Sequence, residues 1–318
     1  MTIRIGTAPV SYGIFGASGD RSAGEALLDT AAAAGFSGLE LGPPGLFGTP
    51  RQTGEQFRRR NLAIVGSYIP IHFAADEATV AHDLVAMRTT LEELSVDGPT
   101  EALAILSDEG STALRENPAR SWTDRSLALD DDGWRLLGRR LEEALAMAAD
   151  AGVPTSFHPH LGTFVESPWE IERLVELTDV RLTLDTGHLA LAGADPAEVL
   201  ARFGDRVNHV HAKDVHLDVL RRAKSERRTD FETWFADVSC PLGQGDANLD
   251  VFLDGLVGRQ YDGWIVIEQD HAPAPAAAFA AIAEEQAGNR RWLEAALTDR
   301  GASVEGRLVA HLRSGGGS

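Results

Sequence analysis

Acidic and imidazole side chains are concentrated at the ends of short apolar segments in the second half of the chain. RLTLDTGH contains Asp185 and His188, VNHVHAKD contains His211, and WIVIEQD contains Glu268. The acidic and imidazole residues of these segments, together with one lysine, are His158, His160, Glu166, Asp185, His188, His209, His211, Lys213 and Glu268. Carboxylates together with imidazoles form sites for divalent cations such as Mn²⁺, Co²⁺, Mg²⁺ or Zn²⁺. Because the set contains no cysteine, a structural zinc site is disfavoured.

Taken one at a time, these residues have simpler explanations. An aspartate before Thr-Gly, as at Asp185, is typical of a turn or a helix cap, and one of His209 and His211 can be a hydrogen-bonded interior imidazole. Glu268 is more informative, because a carboxylate directly after WIVI is costly to bury unless it is paired or bound to a metal. The joint occurrence of these residues at successive segments favours one metal site over separate structural roles.

Proton transfer near neutral pH is typical of imidazoles, so His158, His160 and His188 are the candidate acids and bases. Lys213 is a candidate acid or enolate stabiliser. The HPH sequence also fits a tight proline bend in which both imidazoles bond to the loop backbone. Glu40, in GLELG, fits a solvated rim carboxylate better than a contact to substrate or to a metal-bound water.

Eight apolar segments alternate with longer amphipathic ones along the whole chain, and this alternation is typical of repeated βα units. The predicted strands lie near residues 3–7, 38–41, 63–69, 102–107, 154–158, 181–185, 207–211 and 264–268. Eight such units predict an α/β fold of the TIM (β/α)8 barrel type, whereas a dinucleotide fold would require a GxGxxG sequence that is absent. In a parallel barrel the carboxyl ends of the strands meet at one rim, which would bring the polar residues together.

Helical patterns fill the intervals between the predicted strands. They lie near residues 23–35, 54–62, 79–95, 131–152, 168–177, 194–204, 249–259 and 276–297. The last pattern is long enough to close a barrel and to form a C-terminal helical extension. We therefore predict one barrel domain over residues 1–312, followed by a flexible linker or tail over 313–318, where the sequence ends in GGGS.

The overall charge limits the classes of partner. The chain has 48 acidic and 29 basic residues, a formal net charge of −19, whereas nucleic-acid binding requires a basic surface. An abasic-site endonuclease, which shares the barrel, is disfavoured for the same reason. No run approaches the roughly 20 apolar residues of a membrane span, and the amino terminus lacks a secretory pattern, so the expected location is the cytoplasm. Cys240 is expected to have no nucleophilic role, and a homo-oligomer is compatible with this surface and fold.

Several motifs together resemble those of a known group of enzymes. HPHLGT, LTLDTGH, HVHAKD, PLGQGD and YDGWIVIEQD, in this order and spacing, resemble the xylose-isomerase-like sugar isomerase/epimerase superfamily. Within it they are most similar to the inosose dehydratases. The resemblance runs from GTAPVSYG to about residue 275 and is densest after residue 150. It differs at Ser67 and Tyr68, where the dehydratase pattern has a Lys-Trp pair.

The resemblance implies that Asp185, His211 and Glu268 are metal ligands. The fourth ligand in relatives is often a glutamate at the end of the fifth strand, where this chain has His158; either His158 replaces it or Glu166 reaches in from the loop, and Glu166 is preferred. The implied cofactor is Mn²⁺ or Co²⁺, with Mg²⁺ or Zn²⁺ as alternatives.

The implied activity is that of a metal-dependent lyase or isomerase acting on a polyhydroxy ketone. The main expectation is dehydration of 2-keto-myo-inositol through a metal-stabilised enediolate. The alternatives are epimerisation or ketose isomerisation at the same metal site, or a role as a subunit of a carbon-glycoside-cleaving complex. A glycine-flanked QGD sequence without a basic helix start favours a substrate that carries no phosphate.

Overall fold

The computed structural model describes residues 1–14, 21–96, 98, 100–117, 119–120, 124–228, 236–273 and 276–305. The predicted tail at 313–318 lies outside the described residues. In chain order the strands of the described ranges are Thr2–Thr7 (β1), Gly38–Leu41 (β2), Ala63–Ile71 (β3), Leu103–Asp108 (β4), Thr155–Phe157 (β5), Leu182–Asp185 (β6), Val207–Ala212 (β7), Asp214–Val215 (β8), Ser239–Cys240 (β9), Gly263–Ile267 (β10) and Ser303–Val304 (β11).

The helices of the same ranges fall mainly between the strands. They are Arg21–Ala33 (α1), Pro50–Arg59 (α2), Glu77–Leu94 (α3), Thr112–Arg115 (α4), Asp131–Asp150 (α5), Pro168–Leu177 (α6), Thr186–Leu191 (α7), Pro196–Phe203 (α8), Leu217–Ser225 (α9), Leu249–Gly258 (α10) and Phe279–Asp299 (α11). None of these helices combines the length and the apolar composition needed to cross a membrane.

Eight of the described strands form a closed parallel barrel. Their order is β1, β2, β3, β4, β5, β6, β7 and β10, and β10 pairs with β1 to close it. The predicted (β/α)8 barrel is therefore confirmed, and α11 is the expected C-terminal helix. Two short strands that the sequence did not predict, β8 and β9, form an antiparallel pair in the connection between β7 and β10.

Local sequence signals explain where several helices begin. Asp195 caps α8 by accepting a hydrogen bond from the Ala197 N–H at 2.8 Å, and Pro196 occupies the first helical position, where no N–H is needed. Asp130 caps α5 in the same way through the Gly133 N–H at 2.8 Å. These caps fix the ends of the helices that support the strands.

Successive residues on the strands face opposite sides of the barrel wall. On β10, Ile265 and Ile267 belong to the large apolar core that contacts the helices. Trp264 and Val266 belong to a small separate cluster with Val65. Because Glu268 has the same parity as Trp264 and Val266, the strand period directs its carboxylate into the barrel. The interior is therefore apolar at one level and polar at the carboxyl ends of the strands.

Candidate active site and metal centre

Asp185, His211 and Glu268 meet at the carboxyl ends of β6, β7 and β10. The register pairs Asp185 with His211 and His211 with Val266, so the three side chains emerge from neighbouring strands at one level. Their candidate ligand atoms all lie within 4.8 Å of one another. His211 Nδ1 is 3.7 Å from Asp185 Oδ2 and 3.4 Å from Glu268 Oε1. All three residues are buried.

His158, directly after β5, joins this group. Its Nε2 lies 3.1 Å from His211 Nδ1 and 3.8 Å from Asp185 Oδ2. Its Nδ1–H donates to the Pro159 carbonyl at 2.8 Å, so the lone pair of Nε2 faces the cluster. The structure therefore brings His158 next to the group of Asp185, His211 and Glu268, giving four candidate donors, and His158 also forms a second potential metal-binding group with Asp185 and His188.

The charges of the residues in this cluster favour the binding of a cation. Asp185 Oδ2 is buried and has no hydrogen-bond partner among the described residues. Burial lowers the pKa of His211, but the charges of Glu268 and Glu40 outweigh it and hold that pKa well above its usual value. Without a metal, a proton on His211 therefore supplies positive charge that a divalent ion could supply instead. Two imidazole nitrogens and two carboxylates fit a divalent ion such as Mn²⁺, Co²⁺ or Zn²⁺.

Glu166 lies elsewhere, in the loop between β5 and α6. Its Oε2 accepts a hydrogen bond from the Gly162 N–H at 2.6 Å, and its Oε1 accepts one from the Arg120 N–H at 3.1 Å. The Arg120 side chain also pairs with Glu170 at 2.7 Å. Burial raises the pKa of Glu166 to about 7. Glu166 belongs to none of the potential metal-binding groups found among the described residues, so the structure does not bring this expected fourth ligand to the cluster.

His160 and His188 lie beside the four candidate donors, with ring centroids 3.8 Å apart. His188 Nε2 is 3.8 Å from Asp185 Oδ2, and the Leu161 N–H donates to its Nδ1 at 3.4 Å. Burial lowers the pKa of His160 to about 3 and that of His188 well below its usual value, so both imidazoles are neutral at pH 7. The ring of Tyr68 lies 5.9 Å from that of His160.

Lys213 connects the cluster to a further carboxylate. Its Nζ lies 3.0 Å from Glu268 Oε2, 2.9 Å from Asp270 Oδ2 and 3.5 Å from Asp185 Oδ2. Burial lowers the pKa of Lys213, but these charges outweigh it and hold the pKa well above its usual value. The group therefore stays an ammonium and a hydrogen-bond donor. Its aliphatic chain passes close to Gly187, where an added Cβ would lie 2.6 Å from Lys213 Cγ.

Glu40 corrects one expectation from the sequence. It was expected to be a solvated carboxylate at the rim, but it is 2% exposed and accepts hydrogen bonds from His209 Nε2 at 2.8 Å and His211 Nε2 at 2.9 Å. Burial raises the pKa of Glu40, but the adjacent imidazoles outweigh it and hold that pKa well below its usual range. The signal that identified Glu268, a carboxylate at the end of an apolar strand, is also present in GLEL and would have found Glu40.

Three buried aspartates near the rim were not singled out from the sequence. Asp270 pairs with Lys213, as described above. Asp108, at the end of β4, accepts hydrogen bonds from the Gly110 and Phe164 N–H groups, both at 2.9 Å. Asp214 accepts four backbone N–H bonds, two of them from the PLGQGD stretch, at Gly243 and Gly245, and a third from Ala247 directly after it. The backbone of that stretch is therefore folded around the carboxylate of Asp214.

Cys240 lies on β9, outside the cluster. It is buried, and burial raises the pKa of its thiol to about 12. A thiol in this state is a poor nucleophile at neutral pH.

Comparison with known proteins gives a consistent result. The family model described as xylose isomerase-like TIM barrel matches residues 28–295. An inosose dehydratase from Geobacillus kaustophilus is 31% identical over 286 residues, which cover 86% of this chain and 89% of that protein. The resemblance noted in the motifs is thereby confirmed.

Two solved structures show the same fold. A structure of L-ribulose 3-epimerase matches with a TM-score of 0.68 and 17% identity, and the match covers 94% of this chain and 96% of that chain. A structure of IOLI protein with a binding zinc atom matches with a TM-score of 0.68 and 13% identity, over 93% and 99% of the two chains. Since the family model extends over most of the sequence, the chain belongs to the xylose isomerase-like TIM barrel family.

Proposed function

We propose that this chain is a divalent-metal-dependent dehydratase that removes water from a polyhydroxy ketone of the inosose type. The observation that carries the proposal is the cluster of Asp185, His211 and Glu268, which His158 adjoins, and in which Asp185 Oδ2 accepts no hydrogen bond from the described residues. The name of the Geobacillus kaustophilus relative supplies the substrate class and the reaction.

The proposed ligands are His158, Asp185, His211 and Glu268. The sequence left His158 and Glu166 as alternatives for the fourth ligand and preferred Glu166. We propose His158, because both carboxylate oxygens of Glu166 accept hydrogen bonds from backbone N–H groups. Mn²⁺ and Co²⁺ are the preferred ions, because a set of two imidazoles and two carboxylates suits borderline divalent cations. Zn²⁺ is the principal alternative, since the structurally similar IOLI protein was solved with a zinc atom.

When bound, a divalent ion in this site supplies Lewis acidity that polarises a ketone and an adjacent hydroxyl. His160 and His188, whose rings lie 3.8 Å apart beside the four ligands, are the proposed bases for the proton on the carbon next to the ketone. The Lys213 ammonium is the proposed hydrogen-bond donor to the departing hydroxyl. One proton and one hydroxyl leave together as water, and the resulting enol rearranges to a dicarbonyl.

The experiment is to incubate the purified chain, reconstituted with Mn²⁺ or Co²⁺, with 2-keto-myo-inositol and separately with ketohexoses. Dehydration gives a product lighter by one water and a dione absorbance, and both should depend on the metal. A product of unchanged mass would instead assign an epimerase or ketose isomerase to the same site. Turnover of equal rate after exhaustive chelation would contradict the proposal.

A further inference from the structure

Glu40 sits on the far side of the His211 ring from the candidate metal position. His211 Nδ1 faces Asp185 and Glu268, whereas Nε2–H donates to Glu40 Oε1 at 2.9 Å. His209, two residues earlier on β7, donates from its own Nε2 to the same oxygen at 2.8 Å. All three residues are buried. One carboxylate oxygen is therefore held between two imidazoles that project from one face of one strand.

This arrangement would be energetically unfavourable if its only role were to fill the interior of the barrel. Barrel interiors are filled mainly by branched apolar side chains, and a buried carboxylate is unfavourable even when it is paired. His209 Nδ1 is also buried, with no hydrogen-bond partner among the described residues. A purely structural role does not require these polar groups, so their function has to lie in what they do to a neighbour.

Glu40, His209 and His211 are close enough to form a potential metal-binding group of their own, but their two short distances favour hydrogen bonds over a second ion. At 2.8 and 2.9 Å the nitrogen–oxygen pairs have hydrogen-bond geometry, which places a proton between each pair. A carboxylate that accepts the outer N–H of a metal-binding imidazole fixes its tautomer and orientation and raises the basicity of its inner nitrogen.

We infer that Glu40 and His209 form a positioning unit for His211: Glu40 orients the imidazole and strengthens its Nδ1 as a metal ligand, and His209 holds the Glu40 carboxylate in place. Neither residue touches the cation or the substrate. The inference rests on the proposed metal centre but not on the proposed substrate.

The test is the affinity of the metal-stripped full-length chain for Mn²⁺ or Co²⁺, measured by competition with a chelating dye. Glu40→Gln should weaken binding by roughly 10–100-fold, the usual effect of losing such an outer partner. In the Co²⁺ form, the visible absorption bands should also shift, because the inner nitrogen is a weaker donor. Glu93→Gln is the matched control: Glu93 is a buried glutamate hydrogen-bonded to Thr53 at 2.8 Å, and its replacement should leave affinity and spectrum unchanged.

Substitutions at His209 make the test specific to positioning. His209→Leu should weaken metal binding by a smaller factor than Glu40→Gln, and His209→Gln, which keeps a donor near the original nitrogen, should restore most of the affinity. The double variant Glu40→Gln/His209→Leu should lose little more than Glu40→Gln alone, because His209 acts through Glu40. These variants also keep the test open if Glu40→Gln fails to fold.

The outcomes separate this inference from the proposed function. A wild-type chain that binds neither ion overturns the metal centre and the positioning unit with it. If the wild type binds metal, and the folded Glu40→Gln and His209→Leu variants bind it equally well with the same Co²⁺ spectrum, the metal centre stands and the positioning unit is wrong.

Discussion

Residues of the same type near the rim have different roles because their surroundings differ. Glu268 and Glu166 are both buried glutamates. Glu268 faces a lysine and a histidine of the cluster, while Glu166 accepts backbone N–H groups of two loops. The sequence identified Glu268 because its strand fixes where it points. It could not place Glu166, because the direction of a loop carboxylate depends on contacts with residues far away in the chain, here Arg120.

Replacing these two glutamates one at a time distinguishes the proposed metal ligand, Glu268, from Glu166, which holds two loops together. Glu268→Gln should lower kcat/KM by about 100-fold or more, since a metal contributes several kcal/mol to such a reaction, and the purified protein should retain little metal. Glu166→Gln should retain the metal, because its carboxylate lies outside the cluster. Metal content by mass spectrometry and circular dichroism of both variants provide the readout. A Glu166→Gln protein that is folded but metal-free would restore Glu166 as a ligand.

At the level of elements, two loops at the rim are fastened together by carboxylates. Asp108 links the loop after β4 to the loop after β5 through Gly110 and Phe164. The loops pack so closely that a Cβ at Gly110 would lie 2.7 Å from the Gly162 carbonyl oxygen. The second of these loops carries His160. The barrel strands and the longer helices between them follow from periodicity and caps. Hydrogen bonds between two loops leave no periodic signal, and neither these bonds nor the helices α4, α7 and α9 were predicted.

The burial of Asp108, which accepts hydrogen bonds from both loops, should affect how the free energy of unfolding depends on pH. Burial raises the pKa of Asp108 to about 7 from its usual 3.8. Between these values the folded state binds more protons than the unfolded state, so this residue makes the free energy of unfolding fall as pH rises, by up to about 1.4 kcal/mol per pH unit. Above pH 7 its contribution is constant.

Urea unfolding of the metal-free protein between pH 4 and pH 8 tests this expectation. Asp108→Asn should remove that part of the slope, so that its unfolding free energy rises relative to the wild type as pH increases from 4 to 7. Asp299→Asn, at the exposed end of α11, is the control and should follow the wild type. Parallel profiles for Asp108→Asn and the wild type would contradict the assigned protonation.

At the level of the whole molecule, the candidate ligands come from the ends of β5, β6, β7 and β10, which together form half of the barrel wall. Their convergence follows from the fold itself, because parallel barrel strands place all their carboxyl ends at one rim. This explains why residues 110 positions apart, from 158 to 268, could be predicted to meet before any coordinates were known. The pairing of Glu40 with His211 crosses the interior, and the strand pattern alone did not reveal it.

A cation bound across four strands should stabilise the entire barrel. At a free ion concentration 100 times the dissociation constant, the expected gain in unfolding free energy is about 2.7 kcal/mol, which raises Tm by several degrees for a chain of this size. Calorimetry with EDTA and with Mn²⁺ or Co²⁺ measures the difference. Glu268→Gln should lose the metal-dependent shift, whereas Glu198→Gln, exposed on α8, should keep it. An identical Tm with chelator and with ion would exclude tight binding to the folded chain.

The close approach of Gly187 to Lys213 has a consequence for sequence variation. A Cβ at position 187 would fall within 2.9 Å of the β, γ and δ carbons of the lysine, whose Nζ is held by Glu268 and Asp270. The two positions are therefore expected to covary among homologous chains, with glycine at 187 wherever lysine occupies 213. In a saturation library at 187, selection for activity should therefore deplete residues larger than glycine as long as lysine occupies 213.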